Sequence, residues 1–518
     1  MNAVKTWLNP RSFNFWMLIA LLVGVVLRSI EYFGATSLWL DEVASAMNIQ
    51  TRNFAQLATE KLEFNQVAPL GFLWTSKIAA LIFGENDEAY RLVPFCWSLL
   101  SLLLFYLVAK RFLAKWFLLA AVILFSCSYA GFAYAAQAKQ YSGDLAVSLF
   151  FVLAALKIIE GNISNRAKWI FTVVGSVGLL SCFQAMPILL FLLFVLFVWF
   201  KKQDKPLPVR SLLIPAIAWL IAAVILSWFA INMNNDTRSN MGNYWRNGYP
   251  PKEFGLDYLL WIPQKLYQEF NFYVAWWYYD LLFTLRMLGL FLLILSVPGL
   301  FYLRKQTGIK ALLLFTPLII ALALAFMRQY PFANRVGFYA HFPIVISGMA
   351  GLQALVQWRP VIFRRYIFGP FAIALSLLPA IYMIFIPMLR PPEYAQPMQP
   401  ILRELKKQLQ PGDIIYVYHK ARFAMKFYGS KEGITDYIVA KADTTVIPIL
   451  RDADKLKGNK RVWFVFTQWT ERQTFPDSIK AYLGTVIGKE IGRIPDPYGG
   501  TEDLEAAAHL YDLSEKKE

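Results

Sequence analysis

The sequence has few of the residues that stabilise small secreted proteins or bind metals. Of its 518 residues, three are cysteine and three are histidine. Cys96, Cys127 and Cys182 all lie in apolar segments, so the sequence offers neither a disulfide framework nor a cysteine-type metal site. Charged residues make up only 16% of the chain. In the C-terminal quarter, no glycine-rich loop follows a strand at the spacing typical of nucleotide binding.

Apolar residues, in contrast, are abundant: 57% of the chain is hydrophobic and 16% is aromatic. This composition excludes an ordinary soluble domain and is typical of a polytopic membrane protein. The net charge of +17 would also fit a nucleic-acid partner. The basic residues, however, form small clusters between apolar segments, and such clusters are typical of membrane topology signals.

Eleven segments are long and apolar enough to cross a hydrocarbon core of ~30 Å. We predict spans at 14–33, 90–110, 116–135, 142–160, 167–183, 186–201, 211–231, 281–303, 309–327, 336–356 and 366–388. The first apolar run continues to Phe33 without a small-residue cleavage site, which predicts a retained span. A further segment, 68–83, is apolar but short and contains Lys77, so it is either a twelfth span or a helix at the membrane interface.

The basic clusters favour the interfacial helix. If 68–83 does not cross the membrane, every cluster falls on one side, which the positive-inside rule assigns to the cytoplasm. The clusters are Lys5/Arg11, Lys110/Arg111/Lys115, Arg166/Lys168, Lys201/Lys202/Lys205/Arg210, Arg304/Lys305/Lys310 and Arg359/Arg364/Arg365. We therefore predict a bacterial inner-membrane protein with its N-terminus inside. The extracytoplasmic parts are then 34–89, 136–141, 232–280, 328–335 and everything after Leu389.

The predicted fold is an all-α polytopic membrane domain with about eleven transmembrane helices and juxtamembrane helices over 1–388, followed by a small extracytoplasmic α/β domain over 389–518. In the tail, "ILRELKKQLQ" is typical of an amphipathic helix, whereas "DIIYVY", "TTVIPI" and "RVWFVFT" are typical of buried strands. About 130 residues suffice for a core of its own.

Polar side chains on the predicted outer face indicate chemistry on a lipid-linked sugar. Transfer from a lipid phosphate needs a carboxylate to orient or deprotonate the acceptor hydroxyl, and cations to bind the phosphate as it leaves. Asp41, with Glu42 beside it, supplies the carboxylate. The candidate cations are Lys139, Arg335, Arg328 and Arg91. Arg328 and Arg335 also break the basic-inside pattern, which indicates a local anionic partner such as a lipid headgroup.

Four stretches occur in an order that resembles the bacterial membrane glycosyltransferases of the GT-C superfamily, in the branch with protein O-mannosyltransferase-like and aminoarabinose-transferase-like enzymes. They are "LWLDEVASAMNI", "NQVAPLGFLW", "YAAQAKQYSGD" and "RQYPFANRVGFYAH", and the resemblance covers 14–388.

This resemblance implies an inverting transfer from an undecaprenyl- or dolichyl-phosphate sugar to a lipid, glycan or protein acceptor, with Asp41 as the essential carboxylate. It maps the family's Arg/Lys-x-Tyr motif onto Lys139 and Tyr141. Gln66, Gln137 and Asp144 are then expected to contact the acceptor or support the site. The His or Lys that some members carry ahead of the Pro-Pro motif is missing, so a divalent metal ion remains one alternative and no cofactor the other.

Other interpretations stay open for each feature. Asp41 and Glu42 also fit a helix N-terminal charge pair, Lys139 fits an interfacial residue whose amine reaches the headgroups, and Arg335 fits a membrane anchor. A lipid or polysaccharide transporter would predict charges within spans and inverted repeats, and neither is evident. A non-catalytic scaffold for envelope assembly would leave the outer motifs unexplained.

Overall fold

In the computed structural model the described residues are 12–34, 37–161, 163–206, 208–233, 244–275, 283–357, 374, 396–441, 446–467, 474–497 and 506–514. The chain divides into two compact units. The transmembrane unit comprises Met1–Phe33 and Arg52–Leu389, and the C-terminal unit comprises Gly34–Thr51 and Arg390–Glu518. The segment Gly34–Thr51 thus groups with the C-terminal residues, which the sequence did not predict, and the predicted boundary at 388/389 lies outside the described residues.

The described part of the transmembrane unit is helical. Its helices are α1 Phe13–Gly34, α3 Phe54–Thr59, α4 Leu70–Phe83, α5 Asp87–Ala109, α6 Lys115–Ser126, α7 Tyr129–Ala133, α8 Tyr141–Ile159, α9 Asn165–Ser181, α10 Ala185–Lys202, α11 Val209–Met233, α12 Leu256–Ala275, α13 Phe283–Thr307, α14 Ile309–Phe326, α15 Asn334–Gly337 and α16 Phe342–Gln357. Helix α2, Leu40–Thr51, lies between α1 and α3 in the sequence but belongs to the C-terminal unit.

Many of these helices are long and apolar enough to cross a membrane, which confirms an integral membrane protein. Six qualify singly among the described residues, and two bent pairs bring the number to eight. Helix α4 has 14 residues, and at 1.5 Å per residue it is about 21 Å long, short of the hydrocarbon thickness. The predicted span 366–388 lies outside the described residues, and the total of eleven stays a prediction.

Two spans that we predicted as single helices are broken. The first bends by 53° between α6 and Tyr129–Ala136. The break exposes backbone carbonyls that a bilayer cannot hydrate. Arg28 of α1, which is fully buried, compensates by donating hydrogen bonds to Ser126 O at 2.9 Å and to Ser98 Oγ at 2.9 Å. An arginine inside a predicted span therefore has a structural partner at the bend.

The second broken span bends by 53° between Asn334–Ala340 and Phe342–Gln357. His341 lies at the break, and its Nδ1 is 3.1 Å from Phe338 O. The two breaks are neighbours, because the rings of Tyr134 and Phe338 are in edge contact at 5.2 Å. Irregular backbone at membrane depth is tolerated where protein surrounds it or where it lines a cavity. We therefore expect the region around these two breaks to be enclosed by protein or to line a cavity.

The C-terminal unit contains a five-stranded mixed sheet flanked by helices. The strands are β1 Ile414–Val417, β2 Ile438–Val439, β3 Val462–Phe466, β4 Lys489–Ile494 and β5 Ala507–Asp512. The order is β2-β1-β3-β5-β4, with β1 parallel to both neighbours and β5 antiparallel to β3 and β4. Its helices are α17 Met398–Gln408, α18 Arg422–Ala424, α19 Ile447–Asp454 and α20 Thr474–Tyr482.

This sheet confirms the predicted α/β tail and two of its three predicted strands. "DIIYVY" and "RVWFVFT" contain β1 and β3, which pair with Tyr416 opposite Phe464. The prediction of a strand at "TTVIPI" is wrong for its described residues, because α19 begins at Ile447. Pro448 favours this outcome, since proline cannot donate a hydrogen bond to a sheet and is favoured in the first turn of a helix.

Candidate functional site

Lys139 is buried at the end of the loop that enters α8. Its side chain is 5% exposed, and its Nζ donates a hydrogen bond to Gln66 Oε1 at 2.6 Å. Gln66 lies in the turn ahead of α4, where Phe64 and Asn65 both have positive φ, of 63° and 53°. Backbone of this kind is costly for residues other than glycine and tends to persist where surrounding structure enforces it. The structure thus brings together two predicted site residues that are 73 positions apart.

Arg335 lies on an aromatic surface formed by Tyr141 and Trp245. Its guanidinium is 5.8 Å from the centre of the Tyr141 ring and 5.5 Å from that of Trp245. Tyr141 starts α8, two residues after Lys139, and its ring also contacts Tyr134 at 5.4 Å. We call Lys139, Tyr141, Arg335 and Trp245 the Tyr141 cluster. Cation–π contacts of this kind fix the guanidinium plane while leaving its N–H groups able to bind an anion.

Asp144 and Gln137, two further predicted residues, flank the Tyr141 cluster in sequence. Asp144 is 2% exposed in the first turn of α8. Among the described residues, Asp144 Oδ1 and Gln137 Oε1 are buried acceptors that no described donor reaches. Because unsatisfied buried oxygens are costly, these two positions are suited to accept hydrogen bonds from a ligand.

Arg328, which we also predicted as a lipid-phosphate ligand, lines a different cavity. This cavity has a volume of about 460 Å³, and Arg246 and Lys265 line it as well. We call it the Arg246 cavity. Arg328 Nη2 donates to Pro250 O at 2.5 Å, and its guanidinium lies 5.8 Å from the Tyr249 ring.

Arg91, the remaining predicted cation, is buried near the start of α5, with 4% of its surface exposed. The same helix end is tied to α1 by a hydrogen bond from the Tyr32 hydroxyl to Glu88 O at 2.9 Å. Arg91 thus belongs to a junction between two helices, and whether it binds a lipid phosphate stays a prediction.

Asp41 and Glu42 open α2 in the C-terminal unit. Glu42 is 1% exposed, and its Oε2 accepts a hydrogen bond from Trp39 N at 3.1 Å, which makes it part of the helix N-terminus. Asp41, at the first turn as well, is only half-buried. The helix-terminal interpretation therefore applies to Glu42, and the role of Asp41 stays a prediction.

The segment that carries Asp41, residues 37–51, is held by C-terminal residues; we call it the Asp41 segment. Leu38 N donates to the Tyr428 hydroxyl at 2.5 Å, and Leu40 N donates to Gln396 Oε1 at 3.0 Å. In return, Gln399 N donates to Ser37 Oγ at 2.9 Å. Helix α18 packs against α2 as well. These contacts join positions more than 350 residues apart, and no local sequence pattern predicts them.

Trp245 and Arg246 are the site residues that sequence reasoning missed. Both belong to the predicted outer segment 232–280, of which Trp276, Trp277, Tyr278, Tyr279 and Asp280 lie outside the described residues. Arg246 carried a usable signal, because it is a further arginine on a predicted outer loop, like Arg328 and Arg335.

The residues present do not form an evident metal site. Among the described residues, no group of three or more His, Cys, Asp or Glu side chains is arranged to hold a metal ion. The prediction that left a divalent ion open is unchanged.

Comparison with known proteins supports the resemblance on two independent grounds. Residues 67–231 match the family model described as dolichyl-phosphate-mannose-protein mannosyltransferase. The whole chain is similar to the crystal structure of ArnT from Cupriavidus metallidurans in the apo state, with a TM-score of 0.56 and 13% identity over 98% of each chain. The same protein bound to undecaprenyl phosphate matches with a TM-score of 0.50 and 13% identity, over 96% of this chain and 98% of that one. No curated protein matches the chain at a significant level.

The fold class predicted from sequence is thereby confirmed: the chain is mostly helical with a fold similar to that of ArnT, and it has a small C-terminal sheet domain. At 13% identity the structural likeness concerns the fold, and fold alone does not fix an activity. The family-model match adds sequence evidence for α4 to α11, which includes Lys139, Tyr141 and Asp144.

Proposed function

We propose that this protein is a glycosyltransferase that moves a sugar from a polyprenyl-phosphate donor to an acceptor on the extracytoplasmic face of the bacterial inner membrane. The observation that carries the proposal is the Tyr141 cluster, in which a buried ammonium group and an aromatic-stacked guanidinium occur within an ArnT-like fold. The undecaprenyl phosphate bound to the ArnT of Cupriavidus metallidurans supports the donor class.

Lys139 and Arg335 are proposed to bind the donor phosphate, with the Tyr141 hydroxyl beside them. In the bound state the phosphate takes the place of weaker neutral partners such as Gln66, since charge-assisted hydrogen bonds are roughly twice as strong as neutral ones. As the glycosidic C1–O bond breaks, negative charge grows on the phosphate, and fixed cations stabilise that charge more than they stabilise the ground state.

Asp41 is proposed as the base. The acceptor hydroxyl attacks C1, its proton passes to the Asp41 carboxylate, and the C1–O electron pair leaves with the polyprenyl phosphate. A single displacement of this kind inverts the anomeric centre. Asp41 is half-buried as a residue and thus in part accessible to an incoming acceptor, whereas the Glu42 carboxylate accepts a hydrogen bond at its own helix end.

The decisive experiment measures binding of undecaprenyl phosphate to the full chain in nanodiscs, followed by transfer from a panel of undecaprenyl-phosphate sugars in membranes. We expect Lys139→Gln to weaken undecaprenyl phosphate binding and transfer together, and Lys139→Arg to retain part of both. Lys115→Gln, which removes an exposed lysine at the start of α6, is the matched control. Binding that is unchanged in Lys139→Gln contradicts the donor assignment.

The side of the membrane needs its own test. A reporter that is active only outside the cytoplasm, fused after Glu518, is expected to be active, and a cytoplasmic reporter at the same position is expected to be silent. The opposite pattern would place the C-terminal unit and the Asp41 segment on the wrong side for this reaction.

A further inference from the structure

The Arg246 cavity offers a second, separate concentration of positive charge. Arg246, Lys265 and Arg328 line it, and its volume of about 460 Å³ lies in the range of small-molecule sites. Lys265 is neutralised by Glu269, whose carboxylate oxygen is 2.8 Å from Nζ, and both side chains are buried. The two arginines are exposed, so the cavity presents about two positive charges to a ligand.

The backbone holds Arg328 in place for this role. Its φ of 54° is in the left-handed region, which a residue with a branched or long side chain rarely adopts. The hydrogen bond to Pro250 O and the contact with the Tyr249 ring fix its guanidinium against the cavity wall. A further bond, from Phe332 N to Gly248 O at 2.9 Å, ties the two loops that carry Arg246 and Arg328.

Glycine is required where these loops meet. A Cβ on Gly248 would lie 2.7 Å from Pro331 Cβ, closer than folded proteins allow, and 3.1 Å from Ala333 Cβ, which is a tight contact. The close approach of the two loops is therefore built into the sequence, and the cavity between Arg246 and Arg328 depends on it.

The rest of the lining indicates a sugar. Amide groups and aromatic rings occur together in the wall, and these are the groups that exchange hydrogen bonds with hydroxyls and pack against C–H faces. They belong to Asn247, Gln264, Gln268, Tyr249 and Trp261. A simple lipid phosphate would use the arginines but would leave the amides without partners.

From this combination we infer that the Arg246 cavity binds an anionic saccharide, a sugar that carries a phosphate or a carboxylate, as part of the acceptor. The inference rests on the proposed function and names its acceptor class. It also separates two arginines that sequence reasoning had grouped: Arg335 serves the donor phosphate and Arg328 serves the acceptor.

The test uses the full chain in phosphatidylcholine nanodiscs and ligand-observed NMR with three probes: glucosamine 1-phosphate, glucuronate and neutral glucose. We expect both anionic sugars to bind in a salt-sensitive manner and glucose to bind much more weakly. Arg246→Gln should weaken binding of the anionic sugars about tenfold, the size expected when one hydrogen bond to a charged group is lost. The matched control is Lys252→Gln, which removes an exposed charge from the same loop without touching the cavity wall.

A second arm measures undecaprenyl phosphate binding on the same variants. We expect Arg246→Gln to bind undecaprenyl phosphate normally and to bind anionic sugars weakly, and Lys139→Gln to show the reverse. Equal binding of glucose and glucuronate, or unchanged sugar binding in Arg246→Gln, overturns the inference. So does a loss of undecaprenyl phosphate binding in Arg246→Gln, because the cavity would then be a donor site. If wild type binds anionic sugars but not undecaprenyl phosphate, the sugar-binding site stands, whereas the proposed function and the acceptor role of the sugar fail.

Discussion

The Tyr141 cluster and the Asp41 segment are positioned in different ways. In the Tyr141 cluster, the side chains come from helix breaks and loops of the transmembrane unit, and Lys139 and Tyr141 are only two residues apart. In the Asp41 segment, backbone groups of Leu38 and Leu40 are held by Tyr428 and Gln396 of the C-terminal chain. The cations are thus positioned by contacts within the transmembrane unit, whereas the carboxylate is positioned by residues in the C-terminal part of the sequence.

This difference assigns a task to the C-terminal unit. A small domain of this kind can select acceptors, but the hydrogen bonds that Gln396 and Tyr428 accept and Gln399 donates also give it a direct role in fixing the segment that carries the proposed base. Variants in the two regions should therefore fail in different ways. We call the hydrogen bonds that Gln396, Gln399 and Tyr428 make with the Asp41 segment the clamp. Changes in the Tyr141 cluster should alter donor binding, and changes in the clamp should alter turnover.

The largest effect is expected from Asp41→Asn. Loss of the proposed base should lower transfer by about 10²- to 10⁴-fold, the usual contribution of general base catalysis, while undecaprenyl phosphate binding stays normal. Transfer in membranes and binding in nanodiscs are the two measurements. Glu42→Gln is the comparison variant, because it should disturb the start of α2 and lower protein yield. Normal transfer by Asp41→Asn would remove the proposed mechanism.

Arg335→Gln should come next, with undecaprenyl phosphate binding weakened by about 10- to 100-fold, as expected for a charge-assisted hydrogen bond to phosphate. Arg335→Lys retains the charge but not the planar group that stacks on Tyr141 and Trp245, so an intermediate loss is expected. Arg304→Gln, an exposed arginine at the other end of a span, serves as the control. If Arg335→Lys and Arg335→Gln both bind undecaprenyl phosphate as well as wild type does, Arg335 is a membrane anchor.

Tyr428→Phe tests the clamp. The variant keeps a fully buried ring but removes the hydroxyl that accepts from Leu38 N. One hydrogen bond contributes about 1 kcal/mol, so transfer should fall by about fivefold through misplacement of Asp41, with donor affinity unchanged. Tyr482→Phe removes a comparable hydroxyl, bonded to Asp454 at 2.7 Å, elsewhere in the same unit and should leave transfer unchanged. Equal transfer by both variants would show that the clamp does not position the base.

The smallest effect on transfer is expected from Asp413→Asn, which acts on the stability of the C-terminal unit. Burial by itself raises the pKa of Asp413, but hydrogen bonds from Arg461, Gln410 and Trp463 hold it below its ordinary value. Since the folded-state pKa lies below the unfolded one, this stabilisation is fully present above about pH 4 and is lost as the pH falls through the folded-state pKa.

Hydrogen exchange measured by mass spectrometry on the full chain checks the pH-dependent stabilisation by Asp413. At pH 7 the free energy of opening β1 and β3 should be about 1–3 kcal/mol lower in the variant than in wild type. This difference should shrink as the pH falls. Asp477→Asn, which removes an exposed pair with Lys480, should have little effect. Identical exchange in Asp413→Asn and wild type would show that the Asp413–Arg461 pair does not stabilise the sheet.

Several parts of the fold were predictable because they follow from local patterns. The amphipathic "ILRELKKQLQ" became α17, which buries Ile401, Leu402 and Leu405 on one face. The runs of apolar residues became membrane-length helices, and 68–83 became the short helix α4. The strand predicted at "TTVIPI" failed because hydrophobicity alone does not distinguish a short buried strand from a helix, and Pro448 favoured the helix.

For the site, the sequence determined which charged residues lie next to apolar spans and in which order they occur, because charges at such positions need a reason to be there. It could not determine that Arg28 would hold a helix break, that Gln66 would reach Lys139, or that Tyr428 would hold Leu38. Nor could it separate Arg328 from Arg335. Those contacts join residues 70 to 390 positions apart, and only the packing of the folded chain decides which distant groups meet.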